Sequence, residues 1–210
     1  MALNDLIVRQ PAGLQAYTAT YAAMLRFTRE RDVATLDELW LLQHPPLFTQ
    51  GLNGKAEHLL TTGAIPVVAT DRGGQVTYHG PGQLVAYPLI DLTRKKIGVK
   101  EFVRQLEQAL IDLLADYQIT AERRENAPGV YVNGAKIASL GLRIKQGRSY
   151  HGLSLNVAMD LAPFKRIVPC GLSGIEVTQL SQFAPQAAIT TVAQQLTTHL
   201  SRQLDAHPLL

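Results

Sequence analysis

The one cysteine of this 210-residue sequence, Cys170, lies in the run Val168-Pro169-Cys170-Gly171-Leu172-Ser173-Gly174. A lone cysteine is most often a small buried hydrophobe. Proline before it and glycine after it place this one in a turn, where the sulfur is exposed. There it can act as a nucleophile, provided that a base or a positive charge nearby makes it a thiolate. Lys136 is the more unusual residue. It follows the Asn133-Gly134 turn on a strand whose alternate positions are Lys136, Ala138, Leu140, Leu142 and Ile144. Without a bulge it shares the apolar face of that strand. Desolvation there presses an ammonium toward its neutral form, which is a competent general base. The opposing expectation is that a lysine so near a turn snorkels to solvent, and the local pattern favours neither.

Two histidines keep promising company, His79 in Tyr78-His79-Gly80 and His151 in Tyr150-His151-Gly152. Either is a candidate base or substrate contact, and either is equally a hydrogen-bonded core histidine. His44, His58, His199 and His207 are dispersed, and no metal-ligand spacing emerges, so no metal site and no cofactor are expected.

The polar wall for such chemistry is the stretch Arg72-Gly73-Gly74-Gln75-Val76-Thr77-Tyr78-His79-Gly80-Pro81-Gly82-Gln83. Four glycines and a proline make it irregular, and glycine lets a backbone approach a ligand. It lacks the Lys-Ser or Lys-Thr of a phosphate-binding loop. A strand-like run, Leu84-Val85-Ala86-Tyr87, follows where a dinucleotide fingerprint requires a helix. A glycine-rich hairpin with no ligand is the plain alternative.

The elements that must hold these groups alternate between two periods. Helical spacing covers 14–31, 99–117 and 189–204, the second with an apolar face of Phe102, Val103, Leu106, Leu110, Leu113 and Leu114. Buried strands are expected over 37–43, 65–70 and 84–92, with His44-Pro45-Pro46 ending the first. Asn133-Gly134 suits a two-residue type I′ hairpin turn. The strand after it turns at Lys145-Gln146-Gly147 and returns over 148–156. Hairpins mixed with helices predict a mixed α/β (α+β) architecture with mostly antiparallel sheets and packed helices.

Apolar residues make up 46% of the chain and charged residues 18%, enough for a buried core and too ordered for a disordered chain. One cysteine excludes an intramolecular disulfide. No apolar run approaches the roughly 20 residues of a membrane helix, and residues 1–5 do not resemble a signal peptide. A cytoplasmic protein with one domain over 1–210 is the expectation. The net charge of +3 is mild and scattered, with Arg94-Lys95-Lys96 the only dense run. That excludes a nucleic-acid stripe. It suits either an acidic protein partner or, more commonly, a solvated loop.

The runs RGGQVTYHGPGQL, KIASLGLRI, HGLSLNV and PCG, in this order, resemble the octanoyltransferases of lipoate biosynthesis, the lipoyl(octanoyl) transferase family. The resemblance extends from about Asp37 to beyond Cys170. It implies the fold of the biotin and lipoate protein ligase catalytic domain. It also implies transfer of an octanoyl group from octanoyl-acyl carrier protein to a lysine of lipoyl domains. Those domains belong to 2-oxoacid dehydrogenase complexes and the glycine-cleavage carrier protein. The matching positions assign Cys170 as acyl-thioester nucleophile and Lys136 as the lysine that lowers its pKa. Arg72, Gly73, Gly74, Gln75, Val76, Thr77, Tyr78 and His79 match substrate-contacting segments, as do Ser139, Leu140 and Gly141 and then Gly152, Leu153 and Ser154. No membrane or nucleic acid is implied, and a monomer is expected. Three rivals stand against this reading: an ATP-dependent ligase of the same fold, a cysteine hydrolase using Cys170 and His151, and a non-catalytic acyl-binding module.

Overall fold

The computed structural model describes residues 4–125, 127–168 and 175–209. Among the described residues, ten strands and four α-helices make two sheets with helices packed on them. The strands are β1 (Asp5–Arg9), β2 (Asp37–Leu42), β3 (Leu47–Gln50), β4 (Val67–Ala69), β5 (Val76–His79), β6 (Gln83–Leu89), β7 (Gly129–Val132), β8 (Ala135–Lys145), β9 (Arg148–Asn156) and β10 (His207–Leu209). The helices are α1 (Tyr17–Glu30), α2 (Leu92–Lys95), α3 (Val99–Asp116) and α4 (Ile189–Gln203). The large sheet runs β10-β1-β2-β6-β9-β8-β7, parallel only where β1 meets β10 and β2. The small sheet runs β4-β3-β5. The mixed α/β architecture is as the alternation of periods predicts.

Strand β6 explains the layering. All seven of its residues are buried, because it is central and covered on both faces. Leu84 and Ala86 face the main core with Phe102, Leu106, Leu110 and Leu113 of α3 and Leu196 and Leu200 of α4. Val85, Tyr87 and Leu89 face the other way and pack with Met24 of α1. On α3 the apolar residues recur every three or four positions, and each one fully buried is worth roughly 1.5–3 kcal/mol. Both hairpin turns carry positive φ at their two central residues, Asn133 (49°) and Gly134 (85°), then Gln146 (52°) and Gly147 (75°). That is the primed geometry whose twist matches the flanking strands.

Several expectations are corrected. The helix predicted from residue 14 starts at Tyr17, because Leu14 is held in a bridge to Gln43. The strand expected over 65–70 shortens to β4, whose three residues are exposed or half-exposed. It is an edge strand, not a buried one. Inside the glycine-rich stretch, Val76–His79 is a buried strand, because it pairs antiparallel with β3 in register from Leu47↔His79 to Gln50↔Val76. The short strands β1 and β10 have no sequence signal of their own.

Arg94 and Lys95 are neither a solvated loop nor a free basic surface. Arg94 lies 2.6 Å from Asp37 and donates to the Thr35 carbonyl. The Lys95 ammonium donates to the Leu204 and Asp205 carbonyls at 2.8 and 2.9 Å. It therefore caps the C-terminal end of α4, where a cation suits the helix dipole. Among the described residues no helix is long and apolar enough to cross a membrane.

Candidate active site

A cavity of about 560 Å³ lies between the large sheet and the glycine-rich stretch, within the size range of small-molecule sites. Its apolar wall includes Val76, Val85, Val99, Val103, Leu140, Leu142 and Leu153. Of the residues singled out in the sequence, Arg72, Gly73, Gly74, Gln75, Val76, Thr77, His79, Lys136, Ser139, Leu140, Gly141, Gly152, Leu153 and Ser154 all line it. Tyr78 does not line it. Alternation on β5 sends its ring into an apolar cluster against Phe48 and Phe164. Cys170 lies outside the described residues. Its described flanks are anchored: Val168 donates to the His58 carbonyl, and Glu176 accepts from the backbone N–H of Lys136 at 2.8 Å.

Lys136 reaches the cavity through a bulge. Between β7 and β8 the register passes from Val130↔Ala138 to Tyr131↔Lys136, which leaves Ile137 as an extra residue. Ile137 and Ala138 both pack in the main core, while Lys136 lines the cavity and is buried. Strict alternation forbids that arrangement, and a bulge next to a site permits it by re-aiming one side chain. The bulge parts Lys136 from Ala138, yet it remains buried on a wall shared with Leu140 and Leu142 and does not snorkel to solvent. The ammonium sits 5.4 Å from the centroid of the buried Tyr131 ring, close enough for a cation–π attraction. Gly129 makes the room. A Cβ built there would lie 2.5 Å from Lys136 Cε and 3.2 Å from its Nζ, and φ at this residue is +140°.

Arg72 clasps the glycine-rich stretch into shape. Its guanidinium donates to the carbonyls of Thr49 and Gln75 at 2.6 Å each, to the Gly73 carbonyl at 2.9 Å and to the Thr49 hydroxyl. The clasp extends as a buried chain. Thr49 Oγ1 is 3.2 Å from His79 Nε2, and His79 Nδ1 is 2.7 Å from Gln83 Oε1. Gln83 donates to Asn156, which donates to the Thr178 carbonyl. Both ring nitrogens of His79 are thus satisfied by neutral partners. Burial first, then the neighbouring His44, pushes its pKa down to about 3.

A second cluster meets the same cavity through His151. Asp71 accepts from Tyr21 at 2.7 Å, from Tyr150, and from His151 Nε2 at 2.9 Å. Burial opposes its ionisation, yet the donors Tyr150, His151 and Tyr21 together hold its pKa below the ordinary carboxylate value. His151 is 1% exposed, lines the cavity and has φ of +57°. The β6–β9 ladder stops at Ala86↔Leu153, just before Pro88, which has no N–H to donate. It resumes at Ser149, whose N–H and hydroxyl bond to Ile90 and Pro88. Between these points β9 is paired with β8 alone, Leu142↔His151 included, and there His151 takes a left-handed conformation that costs about 1–3 kcal/mol in a non-glycine residue.

A family model of the lipoyl protein ligase A/B catalytic domain matches residues 16–201. The chain belongs to that family. An octanoyltransferase from Stutzerimonas stutzeri is 59% identical over 204 residues, covering 97% of this chain and 93% of that protein. A crystal structure of lipoate-protein ligase A bound with ATP superposes with a TM-score of 0.79 at 15% identity, covering 99% and 89% of the two chains. A biotin protein ligase from Aquifex aeolicus, in complex with biotin and ATP, gives 0.57 at 11%, covering 96% and 70%. The last two likenesses concern the fold, and they bear out the architecture the sequence resemblance implies.

Within this family member, sequence reasoning missed Asp71, Tyr21, Tyr150 and Gly129. Asp71 had a signal: it is the only acidic residue between Glu57 and Asp91, and it adjoins the glycine-rich stretch. The others had none, because their roles rest on contacts 50 to 80 positions apart or on a neighbour's space.

His79 also sets a pH dependence. Its folded pKa is depressed from 6.5 to about 3, so between those values the unfolded chain binds more protons. Stability is full above pH 6.5 and is lost as pH falls toward 3, at up to about 1.4 kcal/mol per pH unit from this group. Buried His44 and His151, also shifted down, act in the same direction. The denaturation midpoint of the wild type falls between pH 7 and 5, and His79→Gln gives a shallower slope. An unchanged slope in the variant would remove His79 from this account.

Proposed function

We propose that the chain is an octanoyltransferase working through a thioester on Cys170, with Lys136 as its proton partner. The carrying observation is Lys136 itself, a buried amine turned by a bulge onto the wall of a mainly apolar cavity. It stands in a chain 59% identical to an octanoyltransferase over nearly its whole length.

In the first half-reaction Lys136 takes the thiol proton of Cys170. The thiolate attacks the thioester carbonyl of octanoyl-acyl carrier protein, and the carrier's pantetheine sulfur leaves and is protonated by Lys136. One thioester replaces another, so the step is close to neutral and needs no ATP. In the second half-reaction the acceptor lysine of a lipoyl domain attacks the acyl-enzyme as a free amine, and amide formation from a thioester is downhill. The tetrahedral intermediates require N–H donors for their oxyanion. The acyl chain lies along the apolar wall, where each buried CH₂ contributes roughly 0.8 kcal/mol. The depth of that wall sets the preferred chain length. Acyl carrier proteins are acidic. With Arg94 and Lys95 engaged inside the fold, exposed Lys165 and Arg166, just before the approach to Cys170, are the cations placed to meet them.

Intact-mass measurement after mixing with octanoyl-acyl carrier protein tests the thioester. The wild-type chain gains one octanoyl group and Cys170→Ala gains none. An unmodified wild type, or a modified alanine variant, rejects the assignment. Product from free octanoate and ATP without a carrier would favour ligase chemistry, and release of free octanoate without an acceptor would favour a hydrolase.

A further inference from the structure

The amide-forming half-reaction has one more proton to place than the acylation. An acceptor lysine enters as an ammonium with three N–H bonds, and the amide keeps one. As the C–N bond forms and the C–S bond breaks, two protons leave nitrogen. One restores the Cys170 thiol by way of Lys136, and the other is surplus. If Lys136 kept it, the next cycle would begin with an ammonium unable to take the thiol proton of Cys170.

We propose that His151, steered by Asp71, takes this surplus proton from the attacking amine. The inference rests on the acyl-enzyme reading above. The geometry separates His151 from His79, which the sequence could not do. Both nitrogens of His79 are bonded within the clasp around Arg72. His151 spends Nε2 on Asp71, and its Nδ1 is shielded from water with no partner among the described residues. With the proton on Nε2, Nδ1 is an acceptor, and buried polar atoms are rarely left unpaired. An unpaired acceptor in a residue lining the cavity calls for a donor that arrives with substrate, and the acceptor amine is the substrate group richest in N–H.

The surroundings fit a proton relay. Tyr21 from α1 and Tyr150 from β9 fix Asp71 from two sides. Tyr21 and Tyr150 also flank the imidazole at 5.0 and 5.1 Å between centroids. Arg72 and His79 are the other titratable groups whose fields reach it. Burial keeps the resting ring neutral and ready to accept. The Asp71 carboxylate, with its side chain 31% exposed, steadies the imidazolium through Nε2 until product leaves and the Nδ1 proton passes to water, which restores the starting tautomer.

The test measures the two half-reactions separately in His151→Asn and His151→Gly, since asparagine and glycine both accept a left-handed φ. Acylation by octanoyl-acyl carrier protein, followed by intact mass, stays within about threefold of wild type. Discharge of the isolated acyl-enzyme to a lipoyl domain slows about 100-fold or more, the range expected for a lost general base. Free imidazole restores discharge in His151→Gly, with a pH profile that follows the imidazole base. Discharge at full rate in both variants, or acylation as the half that is lost, overturns the proposal. A wild-type chain that never acquires the octanoyl group would defeat the thioester reading first and this one with it, which is a distinguishable result.

Discussion

Lys136→Ala loses transfer by about 10³-fold or more, the scale on which a positioned proton-transfer group contributes, while the chain stays folded. The fold survives because Ile137 and Ala138 beside it keep their places in the main core. The backbone bonds that tie Lys136 to Glu176 and Thr178 do not involve its side chain. Lys136→Arg fails as well. Guanidinium does not give up its proton at any working pH, and the space against Gly129 is cut for a slender chain ending near 3.2 Å from the built Cβ. The measurement is acylation of Cys170 by intact mass, with the melting temperature of each variant alongside. A Lys136→Ala chain that acylates at the wild-type rate removes Lys136 from the mechanism.

Gly129→Ala is expected to lower transfer by about 100-fold, because a displacement near 1 Å at a reacting group is enough for that loss. The methyl group would stand 2.5 Å from Lys136 Cε and 2.6 Å from the Ala138 carbonyl oxygen. No real contact is so short, so the lysine side chain must move. A φ of +140° also strains any residue with a side chain, adding about 1–3 kcal/mol of destabilisation. The two effects separate by experiment. If lost activity merely followed lost stability, lowering the temperature until the variant is fully folded would restore turnover. Activity that stays low in the folded variant identifies Gly129 as a positioning residue. Full activity there would mean that Lys136 has room the structure does not show.

Much of this architecture was legible because its signals are local. The Asn133-Gly134 and Gln146-Gly147 turns need left-handed residues, and the sequence supplies them. Helix α3 announces itself through the spacing of Phe102, Leu106, Leu110 and Leu113. The glycine-rich stretch was recognisable as a wall because it combined glycines with polar side chains. What failed was whatever depended on a partner strand. Val76–His79 looks like loop until β3 pairs with it, and that pairing turns Tyr78 away from the cavity. Strand β4 looks like a buried strand, yet at the sheet edge its residues stay exposed or half-exposed. Arg94 and Lys95 look like a free basic run, but Asp37 and the end of α4 claim them.

Residue identity alone settled which groups could do chemistry here: one thiol, one lysine beside a tight turn, two histidines in matched company and a glycine-rich polar run. It also settled the family, since ordered motifs survive in one dimension. Only the folded chain decided how those groups are used, because orientation depends on register. A single extra residue at Ile137 turns Lys136 from core to cavity. Where β9 parts from β6 near Pro88, His151 meets Asp71, while His79, its twin in sequence, is bound at both nitrogens. Side-chain direction reverses with each residue of a strand, so one bulge or one missing N–H outweighs any pattern of residue types.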